Sequence, residues 1–109
     1  MREEQLLSYL QGACPGRKYR VSGMELEQTL HISGTDLRKL VNRLRRKGVP
    51  IASDRSGYFF AVNAGEVYTT IRQLRQMVCG LEKAIAGLEA SLEKFGAGEA
   101  LDGSGGDSP

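Results

Sequence analysis

"SGMELEQTLHISGTDLRKLVNRLRRKG", residues 22–48, is the stretch that decides how this chain is read. It opens twice in the same way, with Ser-Gly at 22–23 and again at 33–34. Each serine hydroxyl is placed to accept the backbone N–H three residues on, and an acid stands at that third position. Glu25 is long enough to reach back to the Ser22 N–H, and Asp36 is a shorter stand-in after Ser33. Two helices follow. The first draws apolar contacts from Met24, Leu26 and Leu30 and ends near Leu30, with His31-Ile32-Ser33 as the turn. His31 suits a turn because histidine tolerates left-handed backbone better than most residues. The second runs over 34–47. Leu37, Leu40, Val41 and Leu44 fall at i, i+3, i+4 and i+7, one stripe for a core. Gly48 is a natural residue past its end, and Pro50 forbids continuation.

The second helix is also strongly basic: residues 35–48 hold six basic side chains and one acid. At ~100° per residue, the face opposite the apolar stripe carries Thr35, Lys39, Asn42 and Arg46, with Arg38 and Arg43 on its flanks. A charged helix face is commonly just solvated, so the neighbouring segments must decide what this one does.

Outward from that stretch, residues 2–12 place Leu6, Leu7 and Leu10 on one face, with Glu3 and Glu4 in the first turn, as an amphipathic helix prefers. "CPGRKYR" breaks it, and Tyr19-Arg20-Val21 fits a very short strand. After Pro50, "IASDRSGYFFAV" reads as a hairpin. The aromatic and β-branched run 58–62 suits a strand, and "DRSG" is turn chemistry with Arg55 at the tip. "NAGE" then opens a last helix, with Asn63 as cap and Glu66 at the third position. From Val67 its apolar residues recur at 71, 74, 78, 81, 85, 88, 92 and 95, alternating steps of four and three. That is a heptad seam.

The whole is expected to be mainly α with one small β-hairpin: a winged helix-turn-helix over 1–62, a long coiled-coil-like helix over 63–95, and a disordered Gly/Ser/Asp-rich tail over 96–109. In that arrangement the helix at 34–47 enters the major groove of duplex DNA. Thr35, Arg38, Lys39 and Asn42 are the candidates for base contact, since Arg and Lys suit guanine O6/N7 and Asn suits adenine N6/N7. Arg43, Arg45, Arg46 and Lys47 lie later and suit phosphates. Arg55 reaches for groove or backbone, and Arg17, Lys18 and Arg20 either extend the basic surface or belong to a solvated loop.

Charge agrees with this division. Residues 1–62 hold 11 Lys/Arg against 6 Asp/Glu, and residues 63–109 hold 4 against 7. Six neutralised phosphates imply a log K against log salt slope of about −5.

The seam of Ile71, Leu74, Val78, Leu81, Ile85, Leu88 and Leu92 is the expected self-association surface. β-branched residues at a and Leu at d favour a parallel two-stranded coil. The flanking e and g positions offer no clear interchain ion pairs, and Gly80 and Gly87 each cost ~1 kcal/mol relative to Ala. The alternative is that the helix packs on its own domain or on another partner. A homodimer would read an inverted repeat with half-sites whole helical turns of ~34 Å apart.

Other classes find little support. No nucleophile–base pairing, phosphate loop or metal set is legible, so no enzyme, cofactor or metal is expected. One histidine and two distant cysteines, Cys14 and Cys79, make a zinc site implausible. The chain has no apolar run long enough to span a membrane and no signal-peptide pattern, which together suggest a cytoplasmic protein. The competing function is a protein-interaction module of a replication or segregation assembly, docking through the winged helix and the coiled coil.

"VSGMELEQTLHISGTDLRKLVNRLRRKGVPI" followed by "SDRSGYFF" resembles the winged helix-turn-helix of the biotin operon repressor type, over about 45 residues. With one helical tail added, the chain looks like small helix-turn-helix proteins of Gram-positive prophages. The resemblance implies DNA binding through Thr35, Arg38, Lys39, Asn42 and Arg55, in a phage or transcriptional regulator. His31 stands where such turns commonly have Gly. The repressor's biotin chemistry is not implied.

Overall fold

The computed structural model describes residues 2–96. Helices α1 (Arg2–Ala13), α2 (Gly23–Leu30) and α3 (Gly34–Arg46) precede an antiparallel hairpin of β1 (Ile51–Asp54) and β2 (Gly57–Phe60), and α4 (Ala64–Ser91) follows. Short 3-10 turns cover Arg17–Tyr19 and Leu92–Lys94. The chain is therefore mainly helical with one two-stranded sheet. The tail over 97–109 lies outside the described residues. No helix among the described residues is long and apolar enough to cross a membrane.

Compactness divides the chain into two units, Met1–Arg72 and Gln73–Pro109. The first runs ten residues past the boundary at 62 read from the sequence. The reason is local: the first turns of α4 belong to it through Thr70, which is buried. Thr70 Oγ1 donates to Glu66 O and accepts from Ser53 N of β1 at 3.1 Å.

Three side-chain caps set the helix starts. Ser22 Oγ accepts from Glu25 N, Ser33 Oγ from Asp36 N, and Asn63 Oδ1 from Glu66 N. The Glu66 carboxylate accepts from Val62 N at 2.9 Å and from Arg17 N at 3.1 Å, so it joins the start of α4 to the 3-10 turn. The α2–α3 turn has His31 in left-handed backbone, φ 57° and ψ 49°. Arg2 Nη1 donates to Leu30 O and His31 O, satisfying carbonyls that the end of α2 leaves open. Helix α3 ends at Arg46 with Lys47 as its cap residue, one position short of the expected 34–47, and Gly48 takes φ +91°. The long helix also stops earlier than expected: its last turn, Leu92–Lys94, is tightened to 3-10.

One core fills the first unit. Leu6 and Leu10 of α1, Leu26 and Leu30 of α2, and the α3 stripe Leu37, Leu40, Val41 and Leu44 meet Ile51, Ala52 and Phe59 of the hairpin. Met24, expected to add apolar contact, is exposed, and Leu7 is only half-buried. Cys14 is buried in this core, and burial pushes its thiol above the ordinary range.

The hairpin has neither edge open along its length. In its register Ile51 faces Phe60 and Asp54 faces Gly57. On the outer side of β2, Val21 exchanges two backbone bonds with Tyr58 (2.9 and 2.8 Å), so the short strand read at 19–21 shrinks to one bridge. Further along, Phe60 N donates to Cys14 O and Gly16 N to Phe60 O. On the outer side of β1, Thr70 takes Ser53 N and Arg45 takes Ile51 O. Covered edges remove the unpaired donors that make exposed strands adhesive. The close approach requires glycine at 57, because a Cβ there would collide with the Val21 carbonyl.

The second unit is the remainder of α4 and its 3-10 end. Val78, Leu81, Ile85, Leu88, Leu92 and Phe95 are all more than half exposed. Helix α4 is 28 residues long, roughly 42 Å at 1.5 Å per residue.

Candidate nucleic-acid interface

Helix α3 is held on three sides, and its basic residues divide accordingly. Its apolar stripe faces the core. One flank turns toward α1: Arg43 Nη1 donates to Glu3 Oε2 at 3.0 Å, and Lys47 Nζ to Glu3 Oε1 at 2.8 Å. These two bonds, Lys47 first, hold the Glu3 carboxyl below the ordinary carboxylate range. The other flank turns toward the hairpin: Arg45 Nε donates to Ile51 O at 2.8 Å and a terminal nitrogen to Ser53 Oγ at 3.1 Å. Burial lowers the Arg45 pKa, with the nearby Tyr58 working the other way. Its guanidinium nevertheless remains a donor to two hairpin oxygens.

The sequence-based grouping of Arg43, Arg45, Arg46 and Lys47 as one phosphate-contacting set therefore splits. Arg45 braces α3 against β1. Arg43 and Lys47 are committed to Glu3, although their side chains stay 51% and 59% exposed. Only Arg46 of the four is outward with no partner among the described residues.

The remaining face is the one the sequence singled out. Thr35, Arg38, Lys39, Asn42 and Arg46 are all exposed. Arg38 Nη2 folds back over the first turn to Thr35 Oγ1 at a long 3.4 Å. Lys39, Asn42 and Arg46 make no side-chain hydrogen bond or ion pair among the described residues. Arg55 is also exposed, at the turn between β1 and β2. That turn is organised by Asp54, whose Oδ1 accepts from Ser56 N and Gly57 N. The outward face thus presents several donors and one side-chain amide, with the Glu27 and Asp36 carboxylates lining the depression beside Lys39. This is a surface suited to a polyanion.

Two contributions escaped the sequence reading. Glu3, 40 and 44 residues from its partners, has no local signal that would link it to α3. Arg45 had none either: on the helical wheel it lies ~20° from Arg38, which stays outward, so only the packed hairpin shows that it turns to β1. Nothing among the described residues gathers three or more potential metal ligands.

No family model, curated protein or solved structure matches this chain.

Proposed function

We propose that this chain is a winged helix-turn-helix protein that binds duplex DNA in a sequence-selective way and acts as a dimeric transcriptional or phage regulator. Helix α3 is the recognition helix and the β1–β2 hairpin the wing. One observation carries the reading. Both flanks of α3 are tied down within the chain, and the single face left outward is basic and amide-bearing from Thr35 to Arg46. A helix whose rotation is fixed by Glu3 on one side and the hairpin on the other presents its side chains in one register. Preorganisation of that kind reduces the ordering cost of binding.

On this reading Thr35, Arg38, Lys39 and Asn42 meet base edges, and Arg46 and Arg55 meet phosphates. The exposed apolar seam of α4 supports dimerisation by a second copy. A two-fold dimer reads an inverted repeat.

The test is DNA selection from a random pool with the purified full chain, followed by binding of the Arg38→Ala/Asn42→Ala double variant. Each good bidentate pair contributes about 1–3 kcal/mol of base discrimination. The double variant is therefore expected to keep weak, salt-sensitive binding and lose selectivity. Equal selectivity in the double variant would remove α3 as the reading element. Sedimentation of Ile85→Asp checks the dimer, and a mass equal to wild type at micromolar concentration would rule out the seam.

A further inference from the structure

The outward face of α3 and Arg55 leave out a second group of cations. Arg17 and Arg20, which flank the 3-10 turn's Lys18 and Tyr19, both place Nε 3.7 Å from the Asp54 carboxylate. Asp54 cannot drift with them, because its Oδ1 also holds the Ser56 and Gly57 amides of the hairpin turn. The 3-10 turn is pinned a second time through its backbone, where Arg17 N donates to Glu66 Oε2. Arg20 donates in turn to the Arg17 carbonyl at 3.0 Å. Lys18 Nζ lies 5.6 Å from the centre of the Tyr19 ring, and both residues are exposed.

Arg17 and Arg20 share one carboxylate, and their side chains are still 49% and 37% exposed. A guanidinium has five N–H donors in a planar fork, so a contact through Nε leaves others directed elsewhere. The neighbouring tip residue Arg55 adds a further charge of the same sign. Asp54 thus joins the two arginines of the 3-10 turn region to the hairpin turn that it also shapes.

We propose that the 3-10 turn with Arg20 is a second nucleic-acid contact, a phosphodiester site on the hairpin side that engages duplex flanking the stretch read by α3. This inference rests on the DNA-binding reading. It commits to backbone phosphate rather than bases, because the group offers three neighbouring exposed cations and no side-chain amide. Asp54 acts as a positioning residue for the two guanidinium groups.

The experiment compares wild type with Arg17→Ala/Lys18→Ala/Arg20→Ala on two duplexes chosen by selection with the wild-type chain. One ends at the selected site, and the other extends it by about one helical turn (~10 bp) on each side. Wild type is expected to bind the longer duplex more tightly and with a steeper salt dependence. The triple variant loses that difference. Its log K against log salt slope on the long duplex is shallower by about 2.7 per protomer, at about 0.9 per phosphate. Its preference among sequences stays as wild type. Arg17→Lys/Arg20→Lys, which keeps the charge, restores most of the slope and shows that the loss is not misfolding.

Equal slopes for wild type and triple variant, with Arg38→Ala/Asn42→Ala still abolishing selectivity, would overturn this contact and leave the recognition helix standing. Failure of wild type to bind any duplex would overturn both.

Discussion

Helices α3 and α4 carry apolar stripes of similar residues and put them to opposite uses. Leu37, Leu40, Val41 and Leu44 are between 2% and 8% exposed, whereas Ile71, Leu74, Val78, Leu81, Ile85 and Leu88 range from 37% to 69%. Periodicity establishes which side of a helix is apolar but not what covers it. The stripe of α3 is short and surrounded by α1, α2 and the hairpin. The seam of α4 continues for several turns beyond its last buried residue, Thr70. The difference shows where the free energy of each helix resides: in folding for α3 and, on the reading proposed above, in association for α4.

The sharpest way to break that contrast is to truncate one leucine on each helix. Leu37→Ala is expected to cost about 3 kcal/mol of folding stability, as for a fully buried leucine. Leu81→Ala should change the unfolding of the dilute chain by less than about 0.5 kcal/mol, the scale of an exposed substitution. Urea unfolding at several protein concentrations separates the two. A large concentration-independent loss for Leu81→Ala would mean that the seam is already used within one chain.

Thr70→Val probes the junction at which α4 stops being buried. It keeps the shape and removes the oxygen that accepts from Ser53 N, with an expected cost of about 1–2 kcal/mol. Faster amide exchange at Ser53 is the accompanying signature, and unchanged exchange would show that the strand edge does not depend on α4.

A smaller effect is expected at the left-handed turn before α3. His31→Gly relieves a non-glycine φ of 57° and should stabilise by about 0.5 kcal/mol, read as a higher Tm. A lower Tm would show that the imidazole contributes more than its backbone conformation costs.

The α1 flank of α3 should respond to acid. The folded-state pKa of Glu3 is depressed by Lys47 and Arg43. Its contribution to stability is therefore present above the ordinary carboxylate pKa and lost as pH falls through the lowered value. Stepwise urea unfolding from about pH 5 downward should show a shallower acid loss for Glu3→Gln than for wild type. Identical acid profiles would mean that the two bridges contribute nothing to folding.

Much of the architecture was legible from residue types alone. Ser22, Ser33 and Asn63 cap their helices because a short side-chain oxygen at that position meets an open N–H, a local rule. Asp54 and Gly57 mark the hairpin turn for equally local reasons. The outward face Thr35, Lys39, Asn42 and Arg46 followed from helical geometry. Met24 was misplaced because two helical turns are too short for a pattern to distinguish its position from those of Leu26 and Leu30.

What only the tertiary structure decided was the fate of the remaining charges. Residue type and spacing determined that α3 is basic and which of its sides is apolar. They did not determine that Glu3 takes Arg43 and Lys47, that Arg45 braces the hairpin, or that Asp54 gathers Arg17 and Arg20. Those pairings join residues from six to 44 positions apart across different elements. Helix periodicity and capping act within a few residues, so they can be read along the chain. A long side chain finds its partner only after helices and hairpin have been packed by their apolar faces, and that packing chooses which cations stay turned outward.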